Sequence, residues 1–167
     1  MFERGEYVFH ESGGVCLVED ICVAPLEGMP LDREYYVMKP IHDPTSTIYV
    51  PTDSDRIFLR RLLSCEEARG FLDRIPQVEA IDEPNAKLLR VKYVEAMERH
   101  TPEDWVRVIK TVYRRSEPQG SKCRKLSETE RAFGENAKRN LHTELSIALD
   151  LAPADVEGYI REWVEGK

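Results

Sequence analysis

No run of apolar residues in this 167-residue chain approaches the ~18 needed to cross a bilayer. The opening MFERGEYVFH carries acids where a secretory leader would carry bases and then an apolar stretch. Both absences point to a cytoplasmic protein. The four cysteines, Cys16, Cys22, Cys65 and Cys123, form no CxxC pair, and the Cys16 to Cys22 spacing has no second pair to answer it. Reduced thiols packed as small apolar groups are therefore expected in place of a zinc site. The four histidines, His10, His42, His100 and His142, show no HExxH or similar spacing, and no GxSxG elbow or Walker A sequence is present. No catalytic residue, metal or cofactor is expected.

Two features that resemble site chemistry have simpler accounts. Ser12-Gly13-Gly14 offers a run of amides that could cradle a phosphate, but a hairpin turn explains it more economically. The acid pairs Glu66-Glu67, Asp82-Glu83 and Glu103-Asp104 fall at expected helix starts, where negative charge complements the helix dipole.

What is present is an ordinary folded composition, with 41% hydrophobic and 33% charged residues, enough for one domain of common size or two small ones. The formal net charge of −7 is unevenly spread. Residues 1 to 60 hold 5 bases and 11 acids, residues 61 to 106 hold 7 and 10, and residues 107 to 167 hold 12 and 10. Because screening limits a charge's reach to ~8 to 10 Å, a polyanion would avoid the front of the chain and approach the back.

The first 60 residues read as short antiparallel strands: EYVFHE, GVCLVEDICV, REYYVMKP and STIYVP, separated by Ser12-Gly13-Gly14, Glu27-Gly28-Met29-Pro30 and Asp43-Pro44. Strands this short cannot bury a sheet face alone, so a small barrel of SH3 or Tudor type is expected. After Arg60 the period becomes helical, and a domain boundary is expected between about Asp55 and Ser64, giving domains of 1–60 and 61–167. Ser64 to Glu67 fits a capping box for a helix that Pro76 ends. A second helix is expected over about Pro84 to Arg99. A third starts at Thr101 and Pro102, with Trp105, Ile109, Val112 and Tyr113 on one apolar stripe. Ser127 to Glu130 reads as another capping box, opening a long helix faced by Phe133, Ala137, Leu141, Leu145, Ala148 and Leu149. Pro153 opens the last, with Val156, Tyr159, Ile160 and Trp163 inward. The fold class is α+β: an antiparallel barrel followed by a bundle of about five helices.

One stretch stands against the acidic background. RVIKTVYRRSEPQGSKCRK, residues 107 to 125, has seven bases against the single acid Glu117. Lys110, Arg114 and Arg115 near a helix end favour the dipole by ~0.3 to 1 kcal/mol each. Lys122, Arg124 and Lys125 precede the next helix, where cations are unfavourable, so a partner that neutralises them, such as a nucleic-acid backbone, is a reasonable expectation.

FERGEYVFHESGGVCLVEDI, EYYVMKPIHDPTSTIYVP, VIKTVYRR and KLSETERAFGENAKRNLHTELSIAL, taken in order, resemble the CarD and CdnL family of bacterial transcription regulators. The family's N-terminal module is shared with the RNA-polymerase-interacting domain of the transcription-repair coupling factor. The resemblance implies a Tudor-like barrel that docks on the polymerase β subunit and a helical domain that touches promoter DNA, together stabilising the open promoter complex; such proteins are not enzymes. It places the polymerase-binding surface on Val23, Ala24, Leu26, Ile48, Tyr49, Val50 and Pro51. Some relatives use arginines there, where this chain has Val23 or Ala24 and Tyr49. Relatives also carry a wedge tryptophan early in the second helix, and EAIDEPNAKLLRVKY has none. Lys87, Arg90 and Lys92 remain as phosphate contacts, with Leu88 or Leu89 as an apolar wedge. The DNA-facing set is then Lys87, Leu88, Arg90, Lys92, Arg114, Arg115, Lys122, Arg124 and Lys125, on a monomer. The competing expectation is a protein-interaction module with no DNA role. A fragment of the coupling-factor motor is disfavoured by the lack of ATPase motifs.

Overall fold

The computed structural model describes residues 1–117 and 126–166, and divides the chain into two units, Met1–Leu62 and Leu63–Lys167. Lys122, Arg124, Lys125 and Cys123 lie outside the described residues.

The first unit is a five-stranded antiparallel sheet: β1 (Tyr7–His10), β2 (Gly14–Val23), β3 (Glu34–Pro40), β4 (Ile48–Pro51) and β5 (Leu59–Arg61), in the order β4-β3-β2-β1-β5. It is a curled half-barrel of the expected Tudor type, with β4 and β5 as its edges. β2 is the longest strand and pairs on both sides, and its register with β3 shifts between Val18 and Asp20. A bulge of this kind adds twist and curls the sheet around one face. That face buries Val8, Cys16, Val18, Tyr36, Met38 and Val50, closed over by Phe2, Ile21, Ile48, Ile57 and Leu59. β5 is absent from the four-strand expectation, because Leu-Arg-Arg has neither β-branched residues nor alternation; Arg60 lies over the Phe9 ring at 5.1 Å.

Ser12-Gly13-Gly14 is a hairpin turn held by His10. The buried imidazole accepts at Nδ1 from the Gly13 N–H (2.9 Å) and the Ser12 N–H (3.2 Å). Two of the three amides that might have cradled a phosphate, those of Ser12 and Gly13, are thereby engaged. A Cβ at Gly13 would sit 2.6 Å from Ile48 Cδ1, so a side chain there requires the end of Ile48 to move.

The second unit holds α1 (Cys65–Arg74), α2 (Ala86–Glu98), α3 (Pro102–Ser116), α4 (Glu128–Ala148) and α5 (Val156–Glu165), with 3-10 turns at Ile75–Gln77 and Pro153–Asp155. Ser64 caps α1 in a full capping box with Glu67. Asn85 caps α2, and Thr101 caps α3 just before Pro102. Trp105, Tyr93, Leu72, Leu145 and Val108 fill the core. Gly134 lets α4 approach α3 closely, because a Cβ there would stand 3.1 Å from Val112 Cγ1. Glu144 is fully buried, and its Oε2 accepts the Leu63 N–H at 2.8 Å, a partner that a buried carboxylate requires.

Several side chains sit differently from expectation. Tyr113 is 65% exposed instead of continuing the apolar stripe with Trp105: the buried side of α3 runs through Trp105, Val108 and Thr111, and two residues beyond Thr111 the helix has turned to its opposite side. Asp82-Glu83 precede the Asn85 cap and belong to no helix; Glu83 accepts from the Asn85 N–H and pairs with Lys92, and these contacts lower its pKa. Cys16 is buried, which pushes its thiol up to about 11, whereas Cys65 is exposed at the start of α1. No described helix is long and apolar enough to cross a membrane.

Replacing His10 with alanine leaves the Ser12 and Gly13 amides without their acceptor. The His10→Ala protein is expected to lose about 1–3 kcal/mol of stability, measured by denaturant unfolding, while keeping its far-UV spectrum.

Candidate interaction surfaces

Three helices meet at Glu130, near the start of α4. Its Oε2 accepts from Arg115 Nε (2.7 Å) and from the Tyr93 hydroxyl (3.2 Å), and its Oε1 accepts from Arg115 Nη2 (3.1 Å). A carboxylate on α4 therefore ties the end of α3 to the middle of α2 by a two-point guanidinium clamp. This explains why only half of the expected Ser127 to Glu130 capping box forms: Ser127 Oγ accepts from the Glu130 N–H, but the Glu130 side chain is committed to the two neighbouring helices. Burial, followed by the Glu130 charge and hydrogen bond, raises the Tyr93 pKa, and the bond to Glu130 raises that of Arg115. Tyr93 also stacks on Phe133, with ring centroids 5.2 Å apart.

Arg115 is thus a structural tie as well as a surface cation. Arg114 is exposed and donates to the Ile81 carbonyl at 3.2 Å, leaving most of its guanidinium toward solvent. Lys110 donates to the Ile75 and Val78 carbonyls, and burial lowers its pKa.

On α2 the charge order opposes the helix dipole. Lys87, Arg90 and Lys92 occupy its first two turns with no acid among them, and Glu95 and Glu98 come after. α1, α3 and α4 each have acids in the first turn. A cation misplaced this way costs the fold roughly 0.3–1 kcal/mol. Lys92 recovers part of that through Glu83 at 3.2 Å, whereas Lys87 and Arg90 are exposed with no ion-pair partner among the described residues. Leu88 (52% exposed), Val91 and Val94 form an apolar ridge on the same outer side. Leu89, the alternative wedge, is buried in the core and cannot reach a partner. Val91 and Val94 were absent from the expected set; their spacing from Leu88, three residues at a time, is the signal that identifies them.

A cavity of about 320 Å³ opens between the start of α2 and the start of α4, with Arg90 among its lining residues. A broader hollow of about 910 Å³ lies along residues 77–82, α2 and the start of α3; three bases face five acids across it, so it does not extend the basic surface. Among the described residues no group of three His, Cys, Asp or Glu side chains could hold a metal ion.

On the half-barrel, the expected residues fall into two places. Val23 ends β2, and Ala24 and Leu26 begin the β2–β3 connection; Val23 and Leu26 are exposed, and Leu31 further along is 85% exposed. Leu31, between Pro30 and Asp32, extends this apolar tip beyond the residues expected from sequence. Ala24 has φ +42°, a strained value for a residue with a Cβ, and its N–H donates to the Arg33 carbonyl at 3.2 Å. Ile48, Tyr49, Val50 and Pro51 form edge strand β4. Val50 and Ile48 turn their side chains to the core, leaving Tyr49 and Pro51 on the opposite face.

The hydrogen-bond phase of this edge follows from one contact. Thr52 N–H donates to Glu34 O (3.0 Å), in register with the pairs Tyr36↔Val50 and Met38↔Ile48. Bonded and non-bonded pairs alternate in antiparallel sheets, so Tyr49 and Pro51 turn their main-chain groups outward. Pro51 has no N–H, and its carbonyl accepts from Ser54 (3.1 Å). The edge strand therefore offers a partner the N–H and C=O of Tyr49, and Pro51 blocks further pairing.

Residues 2–63 match the CarD-like/TRCF RID domain family. Among curated proteins, no sequence matches the chain significantly. Over nearly its whole length the first unit is thus similar to the CarD-like/TRCF RID domain, a kind of module that implies contact with RNA polymerase.

Tyr93 carries a pKa raised on folding, so its contribution is complete below the ordinary tyrosine value of about 10 and is lost as pH rises above it. Unfolding free energy should fall more steeply above about pH 10 in the wild type than in Tyr93→Phe, as read by urea denaturation at a series of pH values. Glu130→Ala leaves the Arg115 guanidinium without its partner and should cost about 1–3 kcal/mol at neutral pH.

Proposed function

We propose that this chain is a transcription regulator that docks on the RNA polymerase β subunit through its half-barrel and holds promoter DNA against the outer side of α2, stabilising the open complex. The single observation that carries the DNA part is the reversed charge order of α2, with Lys87 and Arg90 exposed beside the Leu88–Val91–Val94 ridge. A helix that keeps bases at its N-terminal end against its own dipole gains nothing for folding, whereas phosphate contact gives the arrangement a use. Leu88 and its neighbours would press as aliphatic wedges on the groove, in place of an aromatic one. Arg114 adds a cation at the end of α3, and Lys122, Arg124 and Lys125 supply more in the segment that follows.

The acidic half-barrel is unsuited to DNA and suited to protein. Tyr49 would pair its N–H and C=O with a β-subunit strand, with Val23, Leu26 and Leu31 supplying apolar contact near Ala24. Docking would raise the local DNA concentration to roughly mM, so weak phosphate contacts suffice. No pattern of bidentate base readers is evident, and recognition would follow backbone and shape.

Lys87→Glu combined with Arg90→Glu is expected to shorten open-complex lifetime about tenfold while leaving capture of a polymerase β-subunit fragment unchanged. Tyr49→Glu is expected to abolish that capture in a folded protein. Unchanged lifetime in the α2 double variant would leave a polymerase-binding module with no DNA role.

A further inference from the structure

Between the 3-10 turn at Ile75–Gln77 and the start of α2, residues 78–85 run without a turn or bend, and Val78 itself is extended (φ −71°, ψ 118°). One side of this segment is tied to α3. Lys110 anchors its start through the Val78 carbonyl (2.7 Å). Further on, the Ile81 N–H donates to the buried Thr111 hydroxyl (2.8 Å), and Arg114 donates to the Ile81 carbonyl (3.2 Å). Main-chain groups of successive residues in an extended chain point in opposite directions. With both groups of Ile81 turned to α3, those of Ala80 and Asp82 turn away from it, and none of the four has a hydrogen-bond partner among the described residues. Pro84, which has no N–H, limits this open stretch at its far end.

The 910 Å³ hollow lies against the open side: Ala80 and Asp82 line it, whereas Thr111 and Arg114 do not. Its three bases are already engaged, Lys92 by Glu83 and both Arg99 and Arg107 by Asp104. Glu79, Asp82, Glu95 and Glu103 have no ion pair or side-chain hydrogen bond among the described residues, and all four are exposed. Unpaired main chain and uncompensated negative charge therefore share one hollow. From this combination we infer that the hollow receives an extended basic segment of a partner protein, which adds as a strand along Ala80 to Asp82 and sets lysines or arginines against the four carboxylates. The exposed main chain selects a polypeptide over a small cation, and the carboxylates select a basic one. The same charge repels nucleic acid, so this surface and the outer side of α2 take different partners. Neither DNA contact nor polymerase docking is needed for it.

The test uses the full chain and backbone amide NMR at low salt with three blocked hexapeptides. One alternates lysine and valine, the second has glutamate in place of lysine, and the third is the lysine peptide with every backbone nitrogen methylated, which keeps its charge and removes its main-chain donors. The expected result is that the lysine peptide shifts the Ala80 and Asp82 amides and binds at least tenfold more tightly than either of the others. Glu79→Lys combined with Glu95→Lys, both at exposed positions outside any helix start, should weaken it at least tenfold and leave the remaining amide spectrum in place. The Lys87→Glu, Arg90→Glu protein should bind the lysine peptide as the wild type does, which separates this site from the DNA surface. Equal binding of the methylated and unmethylated lysine peptides overturns strand addition, and equal binding of the lysine and glutamate peptides overturns the basic partner. Absence of shifts at Ala80 and Asp82 overturns the site itself.

Discussion

Glu130 is the residue on which the helical unit's interaction surface depends. One carboxylate, three residues from the Ser127 cap of its own helix, gives up the capping role and instead clamps Arg115 and accepts from Tyr93. The clamp fixes where α2 stands relative to the ends of α3 and α4. That in turn places Arg90, Leu88 and the adjoining cavity on the same part of the unit. Charge-assisted, two-point hydrogen bonds are directional, so they set a helix position more narrowly than apolar packing alone does. The Tyr93–Phe133 stack and the Gly134 approach to Val112 supply the close packing behind it.

The half-barrel solves a different problem. A sheet open at both edges invites pairing with any exposed strand, and here the outer side of β4 is reduced to one usable residue by Pro51 and by the Ser54 turn. A single two-bond pairing at Tyr49, supplemented by an apolar tip, favours a partner of matching shape over indiscriminate strand addition. The left-handed Ala24 shows that the connection carrying this tip holds a conformation its sequence does not prefer.

Much of the architecture was legible because it rests on local rules. Four strands, the Ser64 capping box, Thr101-Pro102 at the head of α3 and the core face of α4 all follow from periodicity and cap chemistry. β5 was not legible, since three residues without alternation become a strand only by pairing with β1. The part played by His10 was also hidden: a histidine near a turn signals nothing until its Nδ1 is seen to face two amides. At the candidate DNA surface, sequence identified the bases but not their engagements. Arg115 is clamped, Lys92 is paired, and Lys87 and Arg90 remain exposed without an ion-pair partner among the described residues. Tyr113 illustrates a related limit: the apolar stripe drawn from Trp105 through Val112 places it inward, whereas the buried side of α3 runs through Trp105, Val108 and Thr111 and leaves Tyr113 on the other.

The central claim is that the outer side of α2 faces DNA while the half-barrel is held by polymerase. It is tested most directly by placing a photo-activatable cross-linking amino acid at position 91, between Leu88 and Val94, and irradiating the complete promoter complex. The account predicts adducts to promoter DNA that require polymerase and disappear at high salt. Adducts to a protein subunit with none to DNA would contradict it.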